Sequence, residues 1–289
     1  MLMGKLSRLA APAAAAVGVA ALVGLGLAAP AGAASSTTYQ ATLNPVPLNT
    51  PSGAASGQLT LTLNGSQATV TEHVSGLAAT LPTDTATLTA LGIPTAFAGK
   101  PFPHVQHIHI NGMDQCPTAS ADMNHDGALS TVEGQPAYGA IGTTLSTSGS
   151  TDASAGTNVL VAPGGASFTY TRTFTLNSAT LSAIQNNKAV IVVHGLNPAT
   201  APKATLTTPN SLGVTLPGAS KKLALIGTAP ALCGVLTQSQ MSTTPVGSSP
   251  TGGGSTAGIQ DEALLGLGGG LLLAAGGAFA LRRRYSRSS

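Results

Sequence analysis

Two runs of strict alternation around an Asn-Gly pair constrain this chain more than any other feature. Leu59, Leu61 and Leu63 alternate with Gln58, Thr60 and Thr62; Asn64-Gly65 follows, and then Ala68-Thr69-Val70-Thr71-Glu72-His73-Val74. Side chains of a strand point alternately to opposite faces, so each run presents one apolar and one polar face. Asn-Gly adopts the positive φ angles of a two-residue hairpin turn, so the pair predicts a β-hairpin. The same pattern recurs. Phe168 to Leu176 reads as a half-buried strand, and Val105 to Ile110 as another. Ala189 to Val193 is continuously apolar, as in a strand covered on both faces. Helical signals are few: Thr85 to Leu91, stopped by Gly92, and a short helix capped by Asn177-Ser178 and running to Ile184. Many short strands with Gly/Pro turns predict an all-β ectodomain, a Greek-key β-sandwich or barrel.

Charged residues make up only 7% of the 289 residues, far below the roughly 25% of an average domain. A coiled coil or helical repeat array needs many more. The formal net charge of +3 gives no basic face, which excludes a nucleic-acid binder.

The ends differ from the middle. Lys5 and Arg8 precede an apolar run from Leu9 to Ala29, and Ala31-Gly32-Ala33 fits a small-residue cleavage site. Residues 1–33 therefore read as a signal peptide. Residues 263–281 carry no charge over a length sufficient to span a bilayer, and Arg282, Arg283, Arg284 and Arg287 follow. This reads as one C-terminal transmembrane helix with a basic cytoplasmic tail, residues 282–289, and an extracellular body. A hydrophobic stretch with a basic tail also serves in wall sorting, but no sorting motif precedes it. Residues 237–262, rich in Ser, Thr, Gly and Pro, read as a stalk. The expected folded domain is 37–236, in a single-pass protein of the cell membrane whose partners are the membrane itself and an extracellular or envelope protein. Without the cations of the two ends and the two acids beside the span, six cations face seven acids, so the ectodomain is near −1.

Cys116 and Cys233 are the two cysteines, and in an exported chain two cysteines are expected to pair.

Asp122-Met-Asn124-His-Asp126-Gly127-Ala128-Leu-Ser130-Thr-Val-Glu133 has the spacing of a twelve-residue calcium loop. Asp122, Asn124, Asp126 and Ser130 offer side-chain oxygens, Ala128 its carbonyl and Glu133 a bidentate carboxylate; Gly127 permits the sharp turn. The alternative is an Asp/Asn-rich surface turn. Cys116-Pro117 before the loop and Pro136 after it preclude long flanking helices, so calcium would act as a structural clamp rather than as a sensor signal.

Six histidines remain. His107 and His109 share one face of their strand, and His194 ends the strand Val190–Val193. An H-x-H pair plus a distant histidine can hold copper or zinc, with His73 as a candidate fourth ligand; the alternative is a set of core-edge histidines bonded to the backbone. His104, beside Pro103, and His125 read as surface residues. There is no G-x-S-x-G elbow and no phosphate-binding glycine loop, so the reading is non-enzymatic.

Tyr39-Gln-Ala-Thr-Leu-Asn, the strand Gly57 to Leu63, Glu72-His73-Val74-Ser-Gly76-Leu77, Gln106-His107-Ile108-His109 and Val192-Val193-His194-Gly195 resemble the CHRD domain, a β module first described in chordin. This resemblance implies a secreted or surface module. The His107/His109 pair and Val-Val-His194 also resemble the copper site of Cu,Zn superoxide dismutase, a Greek-key β-barrel. That second resemblance implies copper ligation by His107, His109 and His194 and, as the alternative function, a copper-dependent redox enzyme. Between the H-x-H and the late histidine that family places a bridging histidine and a cluster of zinc ligands, whereas here His125 is the one histidine in the interval.

Overall fold

The computed structural model describes residues 36–50 and 54–240. The signal-peptide, transmembrane and tail segments, and nearly all of the stalk, lie outside the described residues. Among the described residues no helix is long and apolar enough to cross a membrane.

Eight strands form one antiparallel sheet: β1 (Thr37–Pro45), β2 (Ser56–Asn64), β3 (Gln67–Ser75), β4 (Gln106–Ile110), β5 (Ala140–Thr144), β6 (Phe168–Thr175), β7 (Ala189–His194) and β8 (Pro230–Gln238). Their order is β5-β4-β7-β8-β1-β2-β3-β6. The predicted hairpin is β2–β3, in register from Ser56↔Ser75 to Asn64↔Gln67, with Gly65 at φ +61°. The sheet curls into a half-barrel. Its two edge strands do not pair, but side chains span the seam between them. From β6, Tyr170 Oη donates to the Ser146 carbonyl, and Arg172 donates to Ser146 and to the Gly149 carbonyl, just beyond β5.

The inner face of the curl is the main core, with Leu43, Leu59, Leu61, Val70, Ile108, Ile191, Val193 and Leu232 all buried. Over β1, β2 and β3 the outer face is open to solvent, hence their alternation of buried with exposed or half-buried residues. Over β4, β7 and β8 the outer face is covered as well. Every residue of β7 is buried, which is why its sequence shows no alternation. Val190, Val192 and Cys233 form a second apolar cluster there with Val46, Leu129 and Tyr138.

That cover is the segment between β4 and β5, which contains the Asp122–Glu133 loop and a helix. Cys116 and Cys233 are joined by a disulfide, fastening the segment to β8. Asn49, buried in the β1–β2 connection, fastens its other end: its Nδ2 donates to the carbonyls of Leu129 and Pro230, and its Oδ1 accepts from Leu129 N.

Helices are short. α1 (Thr85–Leu91) is capped by Asp84 and ended by Gly92 in the left-handed conformation. α2 (Thr131–Tyr138) starts at Ser130, which forms a reciprocal capping box with Glu133. α3 (Ser178–Gln185) is capped by Asn177 as expected, and α4 (Lys203–Thr207) is little more than one turn.

A candidate metal centre on the covered face

His107 and His109 project from β4 to the covered outer face, while Gln106, Ile108 and Ile110 take the inner one. In the β4–β7 ladder His107 lies opposite Val192 and His109 opposite Val190. His194 shares the outer face of β7 with those valines, which places it diagonally across from His107. The ladders shift register between Ile108 and His109 on one side and between Val193 and His194 on the other. Such irregularities bend a strand locally and re-aim its side chains, and both fall at these ligand candidates.

The three imidazoles converge. Their ring centroids are 5.1 Å apart for His107–His194, 5.4 Å for His107–His109 and 6.0 Å for His109–His194. One nitrogen from each ring lies within 4.8 Å of the others, and all three residues are at most 3% exposed.

The hydrogen bonds settle which nitrogen each ring presents. His107 Nε2 donates to the Gly156 carbonyl at 3.0 Å, His109 Nδ1 to the Gly139 carbonyl at 2.9 Å, and His194 Nδ1 to the Thr228 carbonyl at 2.6 Å. A carbonyl accepts only, so these nitrogens carry the protons. The opposite nitrogens, His107 Nδ1, His109 Nε2 and His194 Nε2, are buried lone pairs without a hydrogen-bond partner. Burial, reinforced by repulsion from His194, holds His107 well below the ordinary imidazole value and takes His109 down to about 3; burial brings His194 to about 4. All three are therefore neutral at physiological pH. Three neutral imidazoles gathered this closely, each with one buried nitrogen free of hydrogen bonds and each oriented by a backbone carbonyl behind it, could hold a metal ion.

The carbonyls come from three separate connections. Gly139 sits at φ +93°, and a Cβ there would meet the Ile110 carbonyl oxygen at 2.0 Å, so only glycine brings that carbonyl beneath His109. Thr131 Oγ1 also donates to the Thr228 carbonyl at 2.6 Å, tying α2 to the same anchor. Tyr138 packs edge-on to His109, with centroids 4.5 Å apart.

The other residues singled out in the sequence lie elsewhere. His73 points from the exposed face of β3, where it bonds Thr169 Oγ1, so it is not brought to the three histidines. The strand alternation that turns Val70 and Val74 inward turns His73 outward. His125 is exposed. His104 corrects the expectation of a surface residue: it is fully buried, with its ring nitrogens facing the carbonyls of His194 and Ala78.

Within the Asp122–Glu133 loop, His125 lies at φ +57° and Gly127 at φ +81°. The loop's acceptors hold loop amides. Asp122 accepts from Asp126 N and Gly127 N, Asn124 from Asp126 N, and Asp126 from Ala128 N. Glu133 accepts from Met123 N and Ser130 N, and Ser130 Oγ accepts from Glu133 N.

No family model matches this sequence, and no curated protein is similar to it at a significant level.

Proposed function

We propose that the folded unit is an exported, CHRD-like surface module built around one transition-metal ion, held by His107 Nδ1, His109 Nε2 and His194 Nε2. One observation carries this reading: three buried imidazoles come together, each with one nitrogen tied to a backbone carbonyl and the other without a hydrogen-bond partner. A buried polar atom left unpaired costs about 1–3 kcal/mol, so three in one place favour a cation among them. An all-imidazole set suits copper and zinc, and the general affinity order puts copper first. The curled sheet reads as a Greek-key barrel with an open seam, and calcium at Asp122, Asn124, Asp126, Ala128, Ser130 and Glu133 would clamp the covering segment. The signal peptide and C-terminal span would hold the module at the outer membrane surface, in reach of an extracellular or envelope partner.

The second reading is a copper-dependent, dismutase-like redox enzyme. In its favour, the imidazoles line a cavity of about 110 Å³, and an open coordination position is what metal chemistry needs. Against an anionic substrate, none of the described residues lining the cavity is charged, so no side chain there would steer an anion toward the metal. The binding role is therefore the better supported. Elemental analysis of the purified full chain and of His194→Ala tests it. About one copper or zinc per chain, lost in a variant that still folds, is the expected result. No metal in the parent, or equal metal in both, would refute the centre. A superoxide assay on the loaded chain separates the two readings.

A further inference from the structure

The walls above the three histidines differ from the floor. Ile141, Val159, Leu212, Val214, Leu216 and Leu223 provide most of the side-chain lining of the 110 Å³ cavity. Its hydroxyls are largely occupied: Thr131 donates to the Thr228 carbonyl and Tyr138 to the Thr131 carbonyl. Gln135 and Thr157, both exposed, add neutral polar groups at the margin. A smaller cavity of about 30 Å³ shares Val159, Leu216, Leu223 and Gly227 with the first and continues to Leu81, Ile93, Phe97 and Phe102. No Lys, Arg, Asp or Glu lines either one. At the edge of the first cavity Leu212 remains 48% exposed, an apolar side chain that burial in this domain does not account for.

We propose that this cavity binds a neutral, predominantly apolar molecule of about one ring, attached end-on through a single nitrogen or oxygen donor to the metal held by His107, His109 and His194. The proposal rests on the metal-centre reading above and adds the class of ligand. Three features select that class. The coordination position faces apolar walls, so the body of the ligand is desolvated as its donor reaches the metal. Size limits it, since apolar cavities of about 150 Å³ accept a benzene-sized guest. Charge limits it through the walls: the metal itself would attract an anionic donor, but beyond the metal no cationic or hydrogen-bonding side chain deep in the cavity would replace the rest of that ligand's hydration.

The test uses the full chain loaded with cobalt(II), whose visible bands respond to coordination. Cobalt content is measured first on every sample, and affinities are expressed per loaded chain. Pyrazole, 4-methylpyrazole and acetate are then titrated. The azoles are expected to shift the bands, with 4-methylpyrazole binding about four-fold tighter than pyrazole, the factor for one buried methyl group, and at least ten-fold tighter than acetate. Leu212→Asp, which places a carboxylate at the rim, is expected to weaken 4-methylpyrazole several-fold. Equal affinity for the two azoles, tighter binding of acetate, no response to either azole, or an unchanged affinity in Leu212→Asp would each overturn the proposal while leaving the metal centre standing. Failure to take up cobalt, read before any titration, would instead overturn the metal centre, and the proposal with it.

Discussion

Among the described residues, Glu72 is the one acid on the inner face of the curled sheet, and replacing it with Gln should stabilise the domain increasingly as pH rises. The side chain is fully buried on β3, opposite Tyr170 of β6. Gln106 lies close enough to bias its charge, yet neither carboxylate oxygen nor either amide atom of Gln106 has a well-formed hydrogen bond. Among the described residues no ion pair engages it; Arg172, on β6, is spent on Ser146 and Gly149. Burial therefore pushes the carboxyl from the usual 4.5 up to about 8. A raised acid pKa means the folded state holds a proton that the unfolded state has released. Stability from this group is thus complete below about 4.5 and is lost as pH rises through about 8. At ~1.36 kcal/mol per pH unit, the loss relative to acid is ~1 kcal/mol at pH 5, ~3 kcal/mol at pH 7 and ~5 kcal/mol at pH 9. Glu72→Gln keeps shape and volume and cannot ionise. Urea unfolding of both proteins in chelator, at pH 5, 7 and 9, should show the stability difference widening in favour of the variant by ~4 kcal/mol across that range. The other titrating groups are common to both chains and cancel in the difference. A difference that stays flat with pH, or favours the parent at pH 9, would refute the account of a buried, unpaired carboxyl.

Because His109 and His194 stay neutral until about 3 and 4, copper or zinc affinity should change little between pH 7 and 5; a competition titration showing a steep fall near 6.5, the ordinary histidine value, would contradict this. Gly139→Ala adds a Cβ against the Ile110 carbonyl and displaces the anchor of His109, so metal affinity should drop about 10- to 100-fold by the same titration. Asn49→Ala leaves the amide and carbonyl of Leu129 and the carbonyl of Pro230 unpaired in the interior; it should cost about 3 kcal/mol in urea unfolding. If calcium occupies the Asp122–Glu133 loop, Glu133→Gln should abolish the calcium-dependent part of the melting temperature, and a melting curve indifferent to chelator in the parent would remove calcium from the account.

What could be read in the sequence was what depends on local periodicity. The alternation in Gln58–Val74 defines the β2–β3 hairpin and its register, and the unbroken apolar run Ala189–Val193 marks a strand buried on both faces. The same rule of two puts His107 and His109 on one side of β4. It also puts His73 outside, because once Val70 and Val74 point inward His73 cannot. What the sequence could not show is held by long-range backbone contacts. Gly139, Gly156 and Thr228 orient the three rings through carbonyl oxygens, and every residue type has a carbonyl, so no residue identity announces that role. The local traces are two glycines: Gly139, required by a positive φ and a close approach to Ile110, and Gly156, where a Cβ would meet Ile141 at 2.7 Å and His107 Nε2 at 3.1 Å. His104 was misplaced for a related reason. Pro103 beside it suggests an exposed turn, yet the segment passes beneath the β7–β8 connection, where the carbonyls of His194 and Ala78 receive the ring. The contacts that span the seam of the curled sheet leave no periodic signal either: Tyr170 and Arg172 reach to Ser146 and Gly149, and Asn177 just beyond β6 donates to the Gly142 carbonyl of β5. A chain of this kind thus writes its strands in side-chain alternation and its candidate metal centre in the histidines, but it writes the arrangement of those rings in backbone geometry, which appears only once the strands are assembled.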